Sequence, residues 1–422
     1  MARPQSSRRE SSPDTAAELT SRPHPAQRRT LAVLSLAQIF VGLANGLAVG
    51  VGSLFVVRVT GVDALGGMAA TLVTLGGAVM SAPLARLAAR RGRRISLTTA
   101  CVVALTATAV LVISGAFDLG WLVMIGFFGL GASSSLTLQA RFAAVDLAQP
   151  HRRGRDMSLV IWMTTIGVVA GPSIVPLGDR LGVPLGLGEL TGAYVLSGTG
   201  LLIVTFVVWV FLRPDPLQAA GAQAGESTAN PETAFRILHH PRILWVVVMI
   251  ASAHAMMVGI MAMTPVHLEH AGQALPLIML AMSAHTGGMY VLSPVFGFLA
   301  DSVGRRSTVL LGAFLLAASA AANLLLPESL GIVGLALLGF GWSAVTVAAS
   351  ALLNDETPQH ARPVVQGRSD TTMGFAGAGA GALAGVVVAT IGFDSLNWIM
   401  LIALALIVIG ATRGLKNRIH SA

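Results

Sequence analysis

The sequence has few charged residues. Of its 422 residues only 11% are Asp, Glu, Lys or Arg, whereas ordinary soluble proteins have about 25%. In contrast, 54% of the chain is hydrophobic, and its mean hydropathy is +0.75. A water-exposed surface cannot be built from this composition, so most of the chain must face lipid or other buried helices. The composition excludes a soluble globular protein.

Cysteine and lysine are almost missing. The single cysteine, Cys101, excludes a disulfide framework and a cysteine-rich metal site. The single lysine, Lys416, does not belong to a GxxxxGK[ST] loop, so the chain carries no P-loop ATPase. The run at 267–270, His-Leu-Glu-His, resembles a metal-ligand pattern only loosely. We therefore predict no metal site, no cofactor and no catalytic residues.

Long apolar stretches make up most of the sequence. A helix of about 20 residues crosses a hydrocarbon layer of ~30 Å, and polar breaks separate twelve stretches of about this length. The first six are 30–57, 64–85, 95–115, 119–141, 157–177 and 190–212, and the second six are 243–264, 276–300, 306–326, 330–353, 370–391 and 395–412. The sequence predicts an all-α membrane protein with twelve transmembrane helices in two six-helix, pseudo-symmetric bundles.

Polar segments divide the chain into five parts. We predict a disordered cytosolic tail, an N-terminal bundle, a cytosolic linker, a C-terminal bundle and a cytosolic C-terminal tail, at 1–29, 30–212, 213–242, 243–412 and 413–422.

The basic residues predict the orientation in the membrane. Only Arg58 and Arg180 of the 27 Lys and Arg residues fall on the predicted outer side, and such residues are retained on the cytoplasmic side of membrane spans. Both termini are therefore expected in the cytoplasm, and the predominance of Arg over Lys suggests the inner membrane of a bacterium. The net charge of +8 reflects this topology, so we predict no nucleic-acid partner.

The two halves of the chain repeat each other in two places. Gly92-Arg93-Arg94 after the second stretch returns as Gly304-Arg305-Arg306 after the eighth, 212 positions later. The tetrapeptide at 164–167, Thr-Thr-Ile-Gly, returns at 371–374 as Thr-Thr-Met-Gly, 207 positions later. The similar spacing, at the same places in each half, indicates a transporter built from two parallel repeats.

The second copy of the first repeat belongs to a longer motif. Gly297, Asp301 and Gly304, followed by Arg305 and Arg306, resemble the loop signature of the major facilitator superfamily. The resemblance covers about residues 30 to 412. It implies a twelve-helix transporter whose bundles rock around a midplane cavity.

The resemblance also implies contacts that close the inner gate. Asp301 would hold the helix start near Met157, and Arg305 would lie near Asp355 or Glu356. A role of the arginines in topology alone is the alternative.

The first-half copy departs from this signature. Ala85 and Ala89 stand where glycine and aspartate are usual, although Gly92, Arg93 and Arg94 remain. Two alternatives follow. Asp370 takes part in a substitute contact with an arginine of 86–94, or the inner gate depends mainly on the second-half copy.

Two further charged residues are assigned to the inner gate. Arg141 and Asp146 are five positions apart, too far round a helix for an ideal pair, so each is expected to find partners on other segments. For Arg141 the alternative is an arginine that snorkels to the lipid headgroups.

The fifth stretch contains a partial second signature. Gly167, Gly171 and Pro172 resemble the middle of a pattern of the drug:proton antiporter branch, but Ser158 and the pair at 175–176 depart from it. Small residues and proline would permit a tight, hinged contact between the bundles. The resemblance favours export, and a packing kink with no bearing on direction is the alternative.

Acidic residues are missing from the middle of every predicted span. A buried carboxylate at this depth is the commonest proton carrier in pumps. The titratable groups at depth are His254 and His285, each about ten residues, ~15 Å, from the outer end of its span. We predict that both face one cavity as coupling candidates, with Asp370 as a third. The alternative for each histidine is a hydrogen-bonded packing role.

Polar and aromatic residues of several spans are predicted to line the central cavity. Gln38 and Asn45 are seven positions apart and so share one face of the first span. The alternative for these residues is hydrogen bonding between helices or ordinary packing. The full set of cavity candidates is Gln38, Asn45, Trp162, Thr165, Met257, Tyr290 and Trp342.

The function predicted from these observations is secondary active transport by alternating access. We expect proton-coupled export of a small amphipathic or apolar compound by a monomer in the lipid bilayer. The first alternative is a proton-coupled uptake symporter of a small metabolite. A second alternative, a membrane-embedded enzyme or sensor, would need a convergent catalytic group that the sequence does not offer.

Overall fold

The computed structural model describes residues 24–149, 152–220, 240–357 and 362–414. Most of the tails and of the linker predicted from the sequence lies outside the described residues. Within the described ranges the regular structure is helical. The predicted all-α fold is thereby confirmed.

The helices follow the predicted order of spans. In the first half they are α1 (Gln27–Thr60), α2 (Met68–Arg91), α3 (Arg93–Phe117), α4 (Gly120–Ala143), α5 (Arg153–Ser173), α6 (Val175–Gly182), α7 (Thr191–Phe211) and α8 (Pro216–Ala219). In the second half they are α9 (Pro241–His270), α10 (Leu275–Tyr290), α11 (Ser293–Ser302), α12 (Arg305–Leu325), α13 (Gly331–Glu356), α14 (Arg362–Ile391) and α15 (Phe393–Ile409).

Eleven helical segments of the described ranges are long and apolar enough to cross a membrane, and a bent pair, α5 with α6, supplies a twelfth. The bend is 51°. Pro172 lies in the last turn of α5 and Pro176 in the first turn of α6, and neither can donate a backbone hydrogen bond. The eighth predicted span is also two helices, because α11 begins at Ser293, directly before Pro294, after a break at Leu292.

Two glycines make the same turn in the two halves. Gly92 between α2 and α3 has φ +93°, and Gly304 between α11 and α12 has φ +104°. Side chains disfavour this backbone region, so glycine allows one helix to reverse into the next within one or two residues. The repeated Gly-Arg-Arg tripeptide therefore starts α3 and α12 in the same way.

The helices form two bundles with matching internal packing. In the first bundle, α1 packs against α5, α7 and α4, and α3 packs against α4. In the second bundle, α9 packs against α14, α15 and α13, and α12 packs against α13. The bundles meet through α2 with α14 and through α5 with α10. These equivalent positions are the arrangement expected of two parallel repeats.

The helix ends lie on two sides of the molecule that differ in charge. The arginine-rich side carries Arg91, Arg93, Arg213, Arg242 and Arg305, and the acidic side carries Asp63, Asp118, Glu189, Glu328 and Asp394.

Candidate substrate cleft

The bundles touch closely on the acidic side. There the Thr71 hydroxyl of α2 donates a 2.7 Å hydrogen bond to the Ala378 carbonyl of α14. Beside it, Gly67 lies so close to Gly381 that a Cβ on Gly67 would be 1.8 Å from the Gly381 carbonyl oxygen. His270 of α9 pairs with Asp63 of the first bundle at 3.6 Å. Backbone contact and the His270–Asp63 contact thus close this side.

Contacts between α5 and α10 show where the bundles begin to separate. The Ser173 and Ser283 hydroxyls are 2.8 Å apart, and one turn further Val169 packs against Gly287. Because α5 and α10 are antiparallel, the next turn toward the arginine-rich side brings Tyr290 of α10 level with Ile166 of α5, and Trp162 lies on the same face of α5 one turn further. The Trp162 side chain is 48% exposed. A cleft therefore opens from this level toward the arginine-rich side.

The contact between α2 and α14 ends at the same level. Toward the arginine-rich side, Thr74 of α2 packs on α14, where it lies 3.6 Å from the Cβ position of Gly374. Beyond it on the same face of α2, Ala78 is exposed, and Thr371 of α14 is also exposed. The cleft therefore extends along both pairs of interface helices.

An aromatic and histidine cluster leads from the cleft into the second bundle. The Tyr290 and Trp342 rings pack edge to face with centroids 6.2 Å apart. The Trp342 Nε1–H donates a 3.2 Å hydrogen bond to Nδ1 of His254. Because Nδ1 accepts, the neutral ring carries its proton on Nε2, which faces Gly377 of α14. The structure therefore brings together three residues that the sequence predicted separately.

His285 has different surroundings. Its side chain is fully buried between α10 and α13, and its Nδ1 lies 2.9 Å from the Leu335 carbonyl oxygen. Its Nε2 has no hydrogen-bond partner within the described residues. Leu335 and Trp342, the α13 contacts of the two histidines, are two helical turns apart. The structure does not place His285 in the cleft with His254.

The remaining cavity candidates are packed to different degrees. Gln38 is fully buried and donates to the Thr137 carbonyl of α4 at 3.2 Å, whereas Asn45 is half-buried and accepts from Ser133 at 2.6 Å. Thr165 and Met257 are buried. Of the seven predicted residues, only Trp162 and Tyr290 are placed on the cleft surface by the register of α5 and α10.

Two carboxylates at the arginine-rich end of the second bundle hold the loop arginine. Arg305 pairs with Asp301, four residues earlier, and with Asp355 at 3.3 Å. The Asp301 side chain is 72% exposed, and no hydrogen bond or ion pair joins it to the described side chains of the helix start near Met157, where a contact was expected. The separation of the bundles on this side accounts for the difference.

Charged residues of the first bundle make contacts with other segments. Asp370 lies 4.0 Å from Arg141 of α4 and not beside an arginine of 86–94. This ion pair bridges the two bundles at the mouth of the cleft. Arg93 instead pairs with Asp146 at 2.9 Å, so Arg141 and Asp146 both find partners on other segments.

Sequence reasoning missed Asp215, which fixes the loop between α2 and α3. Its carboxylate accepts the backbone N–H of Arg94 at 2.8 Å and caps α8 through the N–H groups of Leu217 and Gln218. The available signal was Asp followed by Pro216 at the first helical position, a pattern typical of a helix start.

The hinge glycines of α5 pack inside the first bundle and not between bundles. A Cβ on Gly167 would lie 1.8 Å from the Ile39 carbonyl oxygen of α1, and one on Gly171 would lie 2.8 Å from Gly46. The expected hinge at the bundle interface is corrected, because a different face of α5 meets α10. Pro172 lies at the bend itself.

The histidines near 267–270 have structural neighbours other than a metal set. His267 stacks on Phe393 with centroids 4.2 Å apart, and His270 pairs with Asp63. In the described part of the chain, no three His, Cys, Asp or Glu side chains are grouped to hold a metal ion.

Comparison with known proteins decides the family. The model of the Major Facilitator Superfamily matches residues 34–284 and 268–418. The chain belongs to this superfamily. It is 33% identical over 381 residues to the uncharacterized MFS-type transporter YdeG of Bacillus subtilis (strain 168), a match that covers 88% of each chain. The protein is therefore a multi-pass membrane transporter and not an enzyme.

Two more distant similarities place this major facilitator transporter in a wider group. It is 25% identical over 399 residues to the riboflavin transporter RfnT of Brucella anthropi, covering 93% of this chain and 97% of that one. Its fold matches a bacterial homologue of the human lysosomal transporter Spinster with a TM-score of 0.71 at 15% identity, over 92% of this chain and 96% of that chain.

Proposed function

We propose that this transporter exports a small, uncharged, planar aromatic compound in exchange for protons by alternating access. The observation that carries the proposal is the cleft with Trp162 on one wall and Tyr290, backed by Trp342 and His254, on the other. The arginine-rich side is the cytoplasmic side in this proposal, so the described conformation is open inward. The chain works as a monomer in the inner membrane of a bacterium.

The lining of the cleft supports the substrate class. Facing aromatic rings bind a planar ring through offset or edge-to-face stacking, each such pair contributing about 0.5–1.5 kcal/mol. The Arg141 guanidinium at the mouth is paired with Asp370, which disfavours an anionic substrate. RfnT, a relative by sequence, is named for riboflavin, which is a planar aromatic molecule.

His254 is the proton carrier in this proposal. Its Nδ1 is held by Trp342, and Trp342 packs on the cleft residue Tyr290. Protonation of His254 would therefore break the Trp342 hydrogen bond, because a charged ring has no acceptor nitrogen. Movement of Trp342 would then displace Tyr290 on the wall of the cleft. We assign His285 a packing role, because it is fully buried and bonded to the Leu335 carbonyl.

Proton-coupled uptake of a similar compound is the second candidate function. A cleft open to the cytoplasm is one state of an importer as well as of an exporter. Export is favoured by the partial match of Gly167, Gly171 and Pro172 to the antiporter pattern.

The experiment uses inside-out vesicles and a pH dye. Flavins, nucleosides, lipophilic cations and neutral aromatic compounds are added one by one, with wild type, His254→Ala, His285→Ala and Asp370→Asn compared. The proposal predicts proton release with a neutral aromatic compound, lost in His254→Ala and retained in His285→Ala. Uptake of that compound by acidified right-side-out vesicles, without release from inside-out vesicles, would replace export by symport.

A substrate-side control separates binding from coupling. Trp162→Ala should weaken substrate binding about threefold to tenfold, from the loss of one aromatic pair. Trp398→Ala removes a ring that is 61% exposed on peripheral helix α15, so it should have no effect. Equal effects of the two variants would contradict the placement of the substrate in the cleft.

A further inference from the structure

A separate pocket lies outside the cleft, where α2, α3 and α7 end on the arginine-rich side. Its volume is about 320 Å³. It is lined by Arg91, Arg94, Ile95, Arg213, Pro214, Asp215 and Gln218. Three guanidinium groups thus converge on one pocket that lies outside the substrate cleft.

The carboxylate in this pocket is already engaged by backbone groups. Asp215 accepts the N–H of Arg94 at 2.8 Å with one oxygen and the N–H groups of Leu217 and Gln218, at 3.0 Å and 3.3 Å, with the other. Gly92 lets the carboxylate come this close, because a Cβ there would be 2.3 Å from it. No ion pair joins Arg91, Arg94 or Arg213 to a carboxylate within the described ranges. The pocket therefore has a net positive charge and free donors.

The neighbours of the pocket place it at the level of lipid headgroups. The Arg94 guanidinium lies 5.0 Å from the centroid of the Trp209 ring, and Trp209 is 46% exposed on α7. Arg29 lies 5.9 Å over the ring of Phe211, which is 44% exposed at the end of the same helix. Exposed aromatic rings with basic residues around them are typical of the boundary between lipid tails and water.

We propose that this pocket binds the phosphate of an anionic phospholipid headgroup. Arg91, Arg94 and Arg213 donate charge-assisted hydrogen bonds to the phosphate oxygens, since the guanidinium fork matches phosphate geometry. Trp209 and Ile95 contact the glycerol and the first part of the acyl chains. A soluble phosphate shares the headgroup chemistry, but the exposed aromatic face of α7 beside the pocket selects a ligand with apolar chains.

The test is native mass spectrometry of the full-length protein in detergent. Dioleoylphosphatidylglycerol and dioleoylphosphatidylcholine are titrated against wild type, Arg213→Gln and Arg94→Gln. The matched control is Arg86→Gln, which removes an exposed arginine of α2 that does not line the pocket. We expect phosphatidylglycerol adducts on wild type and on Arg86→Gln. Each pocket variant should weaken this binding about fivefold, the effect of one arginine near an anionic membrane, and phosphatidylcholine binding should be equal in all four proteins.

Three results would overturn the proposal. Equal phosphatidylglycerol binding by wild type and both pocket variants would show that the pocket is not the lipid site. An equal loss of binding in Arg86→Gln would show that the lipid responds to the overall positive charge and not to this pocket. Inorganic phosphate is titrated in parallel, and displacement of the lipid by millimolar phosphate would assign the pocket to a soluble phosphate compound. Thermal midpoints measured without lipid check that each variant is folded. Arg213→Gln should disturb folding least, because the Arg213 side chain makes no hydrogen bond in the described structure.

Discussion

Replacing Gly67 by alanine should force the bundles apart on the acidic side. A Cβ at this position would lie 1.8 Å from the Gly381 carbonyl oxygen and 2.9 Å from its carbonyl carbon. Backbone must move by about 1.6 Å to restore an ordinary contact of 3.4 Å. Such a displacement also breaks the Thr71 hydrogen bond to Ala378, which is 2.7 Å long. Gly67 itself has φ −66°, so alanine adds no backbone strain.

The energetic cost falls on one state of the transporter. Overpacking of a closed interface costs about 1–3 kcal/mol, and a bundle pair open on the acidic side does not bear this cost. The ratio of acidic-side-open to acidic-side-closed molecules should therefore rise by about fivefold to more than a hundredfold.

The assay is labelling of a cysteine in the interface. Thr71→Cys serves as the reporter in a Cys101→Ala background, and a membrane-impermeant maleimide is applied from the acidic side, which we propose faces outward. Gly67→Ala should label at least about fivefold faster than its parent. Gly379→Ala is the matched control, because nothing lies within 4 Å of its Cβ position. Unchanged labelling in Gly67→Ala, or the same increase in Gly379→Ala, would refute the reasoning.

Three more predictions concern the charged contacts and the turns. Asp370→Asn should slow transport, because it leaves Arg141 unpaired at the mouth of the cleft. The free energy of unfolding should change by no more than about 1 kcal/mol, since the pair is partly exposed. Vesicle transport measures the first effect and thermal denaturation the second. Gly92→Ala should lower the thermal midpoint more than Gly304→Ala. Both variants incur backbone strain of about 1–3 kcal/mol, but only the Cβ added by Gly92→Ala would also displace the Asp215 carboxylate. Similar midpoints of the two variants would contradict this prediction. His270→Ala should speed the Thr71→Cys labelling, because it removes the contact between His270 and Asp63 that joins the bundles on the acidic side. The rate of maleimide labelling tests this, and an unchanged rate would exclude the contact from the closure of this side.

The sequence was sufficient for the architecture because each span must be long and apolar to cross a bilayer. The repeated tripeptides at Gly92 and Gly304 predicted two parallel repeats, and in the structure both tripeptides begin at a turn in which glycine has a positive φ. Broken spans were less evident, because Pro172 and Pro294 can kink a helix as well as divide it.

The side chains of the cleft were harder to predict. Helices in a membrane are apolar on all faces, so amphipathic periodicity does not reveal which face packs and which lines a cavity. Gln38 and Asn45 share a face of α1, yet Gln38 is fully buried against α4 while Asn45 is half-buried. Depth along the span suggested a common cavity for the two histidines, but the rotation of α10 points His285 at Leu335 of α13. Only the packing of whole bundles determines these rotations.

A disulfide across the closed side tests the alternating movement of the bundles most directly. The hydroxyl oxygens of Ser173 and Ser283 are 2.8 Å apart between α5 and α10, so the double variant Ser173→Cys, Ser283→Cys in a Cys101→Ala background should form a disulfide on oxidation. The bond would hold the acidic side closed. The account predicts that oxidation stops substrate transport in vesicles and that a reductant restores it. Transport that continues at an unchanged rate in fully cross-linked protein would contradict the account.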